Sequence, residues 1–101
     1  MRVGKSIMQT QRECYICHNP FNTELHHIYE GSRRRISDCN GFAVYLCPDH
    51  HTMSAFSAHR DPGLNRWLKQ QCQRMYERSH SRPEFMEIVG KNYLGDEGED
   101  R

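Results

Sequence analysis

Two matched pairs, Cys14-Tyr15-Ile16-Cys17 and Cys47-Pro48-Asp49-His50, constrain this chain more than any other feature. Each pair carries its two metal-binding side chains with two residues between them, and 29 residues separate Cys17 from Cys47. Two such side chains on a tight knuckle reach one tetrahedral zinc, at about 2.3 Å from each sulfur. Cys14, Cys17, Cys47 and His50 therefore read as a Cys₃His structural zinc set. A lone C-x-x-C is also the mark of a redox pair, but that reading needs a βαβ context, and none surrounds Cys14. The metal matters because the core is small. A chain of 101 residues is one domain, and with 36% hydrophobic and 27% charged residues a zinc staple contributes materially to its stability. Five cysteines, an odd number, favour ligation over disulfides in a cytosolic setting.

The second pair sits at a corner. Residues 42–46 (Phe-Ala-Val-Tyr-Leu) read as a short apolar strand, and Pro48 suits the first position of a helix, where its missing N–H costs nothing. His50 and His51 fall in the first turn. Adjacent helical residues project about 100° apart, so one imidazole faces Cys47 and the other serves a different group. Residues 52–58 read as two further turns of that helix. Upstream, residues 23–29 (Thr-Glu-Leu-His-His-Ile-Tyr) read as a strand that pairs antiparallel with the first. The connection is a basic loop: Gly31-Ser32 opens a turn, Arg33, Arg34 and Arg35 follow, and Asn40-Gly41 is a strong turn dipeptide.

Downstream the pattern is helical. Asp61-Pro62 offers an N-cap and a first helical proline, and Leu64, Trp67, Leu68, Gln71, Cys72, Met75 and Tyr76 recur at helical spacing. Arg66, Lys69, Arg74 and Arg78 mark the opposite face. Ser81 with Glu84 fits a capping box, and a short helix through Phe85, Ile88 and Val89 stops at Gly90. The expected organisation is one domain over residues 1–101: a flexible lead-in (1–12), a zinc-stapled core (13–60), a helical part packed on it (61–94) and a disordered acidic tail (95–101). Trp67 and Cys72 read as core, Cys39 as a free thiol, and His18 and His80 as exposed turn residues. There is no apolar run for a transmembrane helix and no h-region for a signal peptide. The net charge of +1 is uneven, because residues 1–94 carry 13 basic and 9 acidic side chains. A body of +4 suits an anionic partner, or is simply a solvated surface.

Taken together, Cys-x-x-Cys, His26-His27-Ile28 on a strand and Leu46-Cys47-x-x-His50-His51 at a strand-to-helix corner resemble the HNH endonucleases, whose core is the ββα-metal fold. The layout over residues 14–94 is similar to small phage- and prophage-encoded HNH proteins, in which a zinc knuckle braces the nuclease motif and a helical segment follows. The resemblance implies an α+β fold with a ββα-metal core, a C-terminal amphipathic helix and a short helix. It implies a metal-dependent DNA endonuclease that hydrolyses phosphodiester bonds, by nicking or double-strand cleavage, in the cytoplasm of a bacterial host. The implied cofactors are the structural zinc and one catalytic divalent metal (magnesium, manganese, nickel or zinc). DNA is the implied partner, bound through its backbone, with a phage or host protein as a further one and no membrane.

By position, the resemblance makes His26 a ligand of the catalytic metal, His27 the general base and His51 a second ligand. It makes Asn40 the residue that orients the base, although Asn40-Gly41 is equally explained as turn chemistry. Ala55 occupies a position where a further ligand often stands. His59 is the nearest substitute, but eight residues along an unbroken helix is about 12 Å of rise, so the chain has to bend near Ser57 for it to join. Consecutive strand residues face opposite sides, so His26 and His27 share a site only near a strand end. Arg33, Arg34 and Arg35 are implied phosphate contacts. Two readings compete with the nuclease: a zinc-bearing nucleic-acid-binding module with an inactive HNH site, and a structural zinc domain that binds another protein.

Overall fold

A computed structural model describes residues 6–54 and 57–95. The expected acidic tail beyond Gly95 lies outside those residues, as does Ala55. The fold is α+β, built on a two-stranded antiparallel sheet of β1 (Glu24–His27) and β2 (Ala43–Leu46). Glu24 faces Leu46, Leu25 faces Tyr45, His26 faces Val44 and His27 faces Ala43. The pairing runs one step past the strands, with Ile28 N–H donating to the Phe42 carbonyl at 2.9 Å.

The connection between the strands is not the basic loop that Arg33–Arg35 suggested. A single tight turn (Gly31–Arg33) runs into helix α1 (Arg34–Asn40). Asn40-Gly41 ends that helix instead of turning a hairpin, with Gly41 at φ 72° as its left-handed C-cap. Both uses of the dipeptide exploit the same left-handed conformation. Buried Ser37 holds α1 in place: its hydroxyl donates to the Tyr29 carbonyl at 2.9 Å and accepts from Tyr29 N–H at 3.0 Å.

In an antiparallel pair, alternate residues turn their backbone groups away from the partner strand. On β2 these are Ala43 and Tyr45, and the N-terminal segment takes the Ala43 carbonyl and both groups of Tyr45. Ser6 Oγ donates to the Ala43 carbonyl at 2.6 Å, Gln9 Oε1 accepts from Tyr45 N–H at 2.7 Å, and Tyr15 N–H donates to the Tyr45 carbonyl at 2.9 Å. Residues 6–9, expected within a flexible lead-in, are thus docked along β2, and Ile7 and Met8 pack on the core.

Helices α2 (Pro62–Tyr76) and α3 (Arg82–Val89) begin where their caps predict. Asp61 Oδ1 accepts from Gly63 and Leu64 N–H, Ser81 and Glu84 form the reciprocal capping box, and Gly90 closes α3 at φ 86°. Their buried faces meet the sheet in an aromatic cluster in which the Tyr29 ring lies 5.6 Å from Phe42, 5.8 Å from Phe85 and 5.5 Å from Tyr93. Leu68 and Cys72 are fully buried, as their spacing implied. Trp67 is not: it is 42% exposed, with its ring tilted 6.1 Å from Tyr15. Gln73 takes an interior place, because residues 92–94 dock against this side of α2. Its amide donates to Asn92 Oδ1 at 2.9 Å and accepts from Tyr93 N–H at 2.8 Å. Among the described residues no helix is long and apolar enough to cross a membrane.

Replacing Gln73 by Ala strips the buried Tyr93 N–H of its acceptor. Such a loss costs about 2 kcal/mol. Urea unfolding is expected to show that decrease in Gln73→Ala, against less than half of it for exposed Arg74→Ala.

Candidate metal centres and the histidine cleft

The corner after β2 divides two neighbouring histidines between two sites. Cys47 and Pro48 lead into one wide helical turn (Asp49–Met53), in which His50 and His51 both donate backbone N–H groups to the Cys47 carbonyl. Their side chains diverge. His50 Nδ1 lies 3.2 Å from Cys47 Sγ and 3.5 Å from Cys14 Sγ, and Cys17 Sγ lies 3.8 Å from Cys47 Sγ. A tetrahedral zinc with ordinary bond lengths sets sulfur–sulfur edges of roughly 3.8 Å and sulfur–nitrogen edges of roughly 3.5 Å. The four donor atoms lie within 4.8 Å of one another and can hold a metal ion, a set consistent with structural zinc. All five cysteines are free thiols. Burial disfavours the Cys14 thiolate, but backbone hydrogen bonds from Cys17, Cys47 and Ile16 outweigh it and bring the pKa down to about 6. Burial pushes the Cys47 thiol up, so a metal there must displace a proton.

His51 turns the other way and meets His26 and His59. The ring centroids of His26 lie 5.4 Å from His51 and 5.2 Å from His59, and those of His51 and His59 lie 4.7 Å apart. Their donor nitrogens also fall within 4.8 Å of one another and can hold a second ion. His26 is buried, and its Nε2 has no hydrogen-bond partner. Burial first, then the neighbouring His51 and His59, lower its pKa to about 3, so it stays neutral and able to ligate. His59 joins because the helix expected over residues 52–58 stops at Met53. Ser54 is extended, and the chain doubles back so that Ala58 N–H donates to the His50 carbonyl at 2.7 Å and His59 N–H to the His51 carbonyl at 3.2 Å. The chain bends at Ser54 and at Ser57, as the position of His59 required, and His59 reaches His51 with the two Nε2 atoms 3.1 Å apart.

His27 closes β1 and lines the same cleft of about 280 Å³ as His26, His51, His59 and Arg34. Its Nε2 pairs with Asp38 Oδ1 at 2.8 Å. Asn40, expected to orient the base, instead donates from its amide to the Ile36 carbonyl at 2.9 Å. Asp38 stands where Asn40 was expected, because residues 34–40 are helical and that helix turns Asp38, not its last residue, toward β1. Glu24 fixes His51 in the same manner, with Oε1 at 2.6 Å from Nδ1. Both carboxylates went unnoticed in the sequence. Glu24 was visible in principle, since it lies two residues before His26 and strand residues two apart share a face. Of the three arginines, only Arg34 lines the cleft. Arg33 donates from Nε to the Val89 carbonyl at 2.8 Å and so ties α3 to the sheet connection, while Arg35 is exposed.

Compared with protein-family models, with curated proteins and with solved structures, the chain matches none.

The low pKa of His26 has a signed consequence. The unfolded chain protonates this side chain near its ordinary 6.5, whereas the folded protein does so only near 3. Stability is therefore full above the first value and is lost as pH falls between the two. Relative to His26→Leu, the wild type is expected to lose about 1 kcal/mol per pH unit from roughly pH 6.5 to 5. Parallel pH profiles for the two proteins in chemical unfolding would contradict this burial.

Proposed function

We propose that the protein is a metal-dependent DNA endonuclease of the HNH type, a zinc-stapled ββα core that hydrolyses phosphodiester bonds. One observation carries the reading: three histidines from a strand end, a helical turn and a return segment converge beside a fourth, His27, which is paired with a carboxylate. Cys14, Cys17, Cys47 and His50 hold the structural zinc in this reading. His26, His51 and His59 fit a catalytic divalent ion, since they offer uncharged nitrogen donors and His26 Nε2 is buried without another partner.

A divalent ion in that trio supplies Lewis-acid stabilisation of the charge that develops on the leaving 3′ oxygen. The protein's own groups supply the rest. His27, an imidazole at the cleft paired with a carboxylate, is suited to accept the proton of an attacking water. Asp38 holds that ring in place and stabilises the imidazolium formed. Glu24 orients His51 toward the trio, as carboxylates orient ligating histidines elsewhere. Arg34, on the cleft wall, is suited to contact a phosphate oxygen, and exposed Arg35 offers a further cation; Arg33 is engaged with α3. The products are a 5′-phosphate and a 3′-hydroxyl. The binding-module reading keeps one supporting observation, the absence of Asn40 from the histidine cleft.

Nicking of supercoiled plasmid in magnesium, manganese or nickel tests the proposal. Activity is expected to vanish with chelator and to fall at least about 100-fold in His27→Ala, with metal content unchanged. Full cleavage by a clean His27→Ala preparation would remove the role given to this residue. The zinc assignment is checked separately. Cys17 is exposed, so Cys17→Ser removes a ligand with little loss of packing. It is expected to lose the bound zinc and several kcal/mol of stability, read as metal per chain and as the denaturation midpoint.

A further inference from the structure

A polar network at the junction of β1 and α2 belongs to neither metal cluster, yet it grips the chain beside one of them. Glu30 stands just beyond β1, and Asn65 and Lys69 lie one turn apart on α2. Asn65 Nδ2 donates to Glu30 Oε2 at 2.8 Å and to the Ala58 carbonyl at 3.2 Å. Asn65 Oδ1 accepts from Lys69 Nζ, which also donates to Glu30 Oε1 at 2.9 Å. The Lys69 side chain is only 14% exposed, although its spacing placed it on the solvated face of the helix. Burial raises the Glu30 pKa, but the hydrogen bonds from Asn65 and Lys69 outweigh this and hold it below the ordinary carboxylate range.

The carbonyl held by Asn65 belongs to the residue immediately before His59. Of the three histidines in the trio, His26 is carried by a strand and His51 by a helical turn. His59 is carried by neither; it sits on the irregular segment that returns after the helical turn ends. Its peptide neighbour is therefore the place where an added constraint has most effect. The recess around this network shares Glu30 and His59 with the histidine cleft, so the clamp is one wall of the site.

We infer that Asn65, locked between Glu30 and Lys69, is a positioning residue that presents His59 to the metal trio. This rests on reading that trio as a metal site. It makes α2 part of the site's construction, although α2 contributes no ligand.

The test is nickel binding to the zinc-loaded full chain, followed by calorimetry, with zinc per chain measured alongside. Asn65→Ala is expected to weaken nickel binding roughly 10- to 100-fold, the usual effect of removing a partner behind a ligand, while zinc stays bound. Lys69→Met is expected to weaken it in the same direction by less. In a His59→Ala background, neither substitution should weaken nickel binding further. Wild-type affinity in Asn65→Ala overturns the inference. So does an equal loss with and without His59, which would make the network general packing. If Asn65→Ala sheds its zinc and unfolds, Lys69→Met decides by the same comparison. A wild-type protein that binds zinc but no nickel removes the trio as a metal site, and the inference with it.

Discussion

Successive residues on a helical turn project in different directions, and at His50 and His51 this divergence separates two chemistries. The Cys47-Pro48 corner starts the turn at the end of β2, so one imidazole closes the thiolate cluster and the next faces the sheet. The two clusters are thus joined through one short turn. A metal held at the thiols would fix the turn that carries His51, and the register of β2 against β1 sets His26 opposite it. A slip of one residue in that register would move His26 to the other face of the strand and dissolve the trio without touching a cysteine.

The helical C-terminal part is joined to this core by more than apolar cover. The ring cluster of Tyr29, Phe42, Phe85 and Tyr93 draws on the end of β1, the start of β2, α3 and the segment after it. Polar ties run alongside: Tyr29 Oη donates to the Lys69 carbonyl at 2.9 Å, and Arg33 reaches the last turn of α3. These bonds cross between segments far apart in the chain. The molecule therefore reads as one unit, with the sheet-bearing half and the helical half sharing a single interior.

What could be read from the sequence was whatever depends on local chemistry. The C-x-x-C and C-x-x-H spacings, the Asp61 and Ser81 caps and the Gly90 stop all act within a few residues, and all stand where expected. The readings that went astray depend on distant neighbours. Residues 34–40 contain no strong helical period, and they become helical because Ser37 is anchored on Tyr29. Gln73 carried no signal of its own, because its interior place depends on the returning Asn92-Tyr93, which give its amide both an acceptor and a donor. His59 is a different case, since the sequence named it on condition that the chain bend near Ser57, and that condition is met. The early end of the helical turn at Met53 is what brings it to His51.

The docking of residues 6–9 along β2 bears on how this molecule meets its own copies. A two-stranded ribbon has two edges, each a template onto which another chain can add a strand. Here the Ala43 carbonyl and both backbone groups of Tyr45 are already taken by Ser6, Gln9 and Tyr15. Among the described residues this leaves the outer edge of β1, four residues long and ending at the carboxylate-bound His27. A short edge bearing polar side chains is a poor template for edge-to-edge growth. The docked segment thus covers the outer edge of β2, and removing residues through Gln9 would free the Ala43 carbonyl and the Tyr45 N–H for another strand.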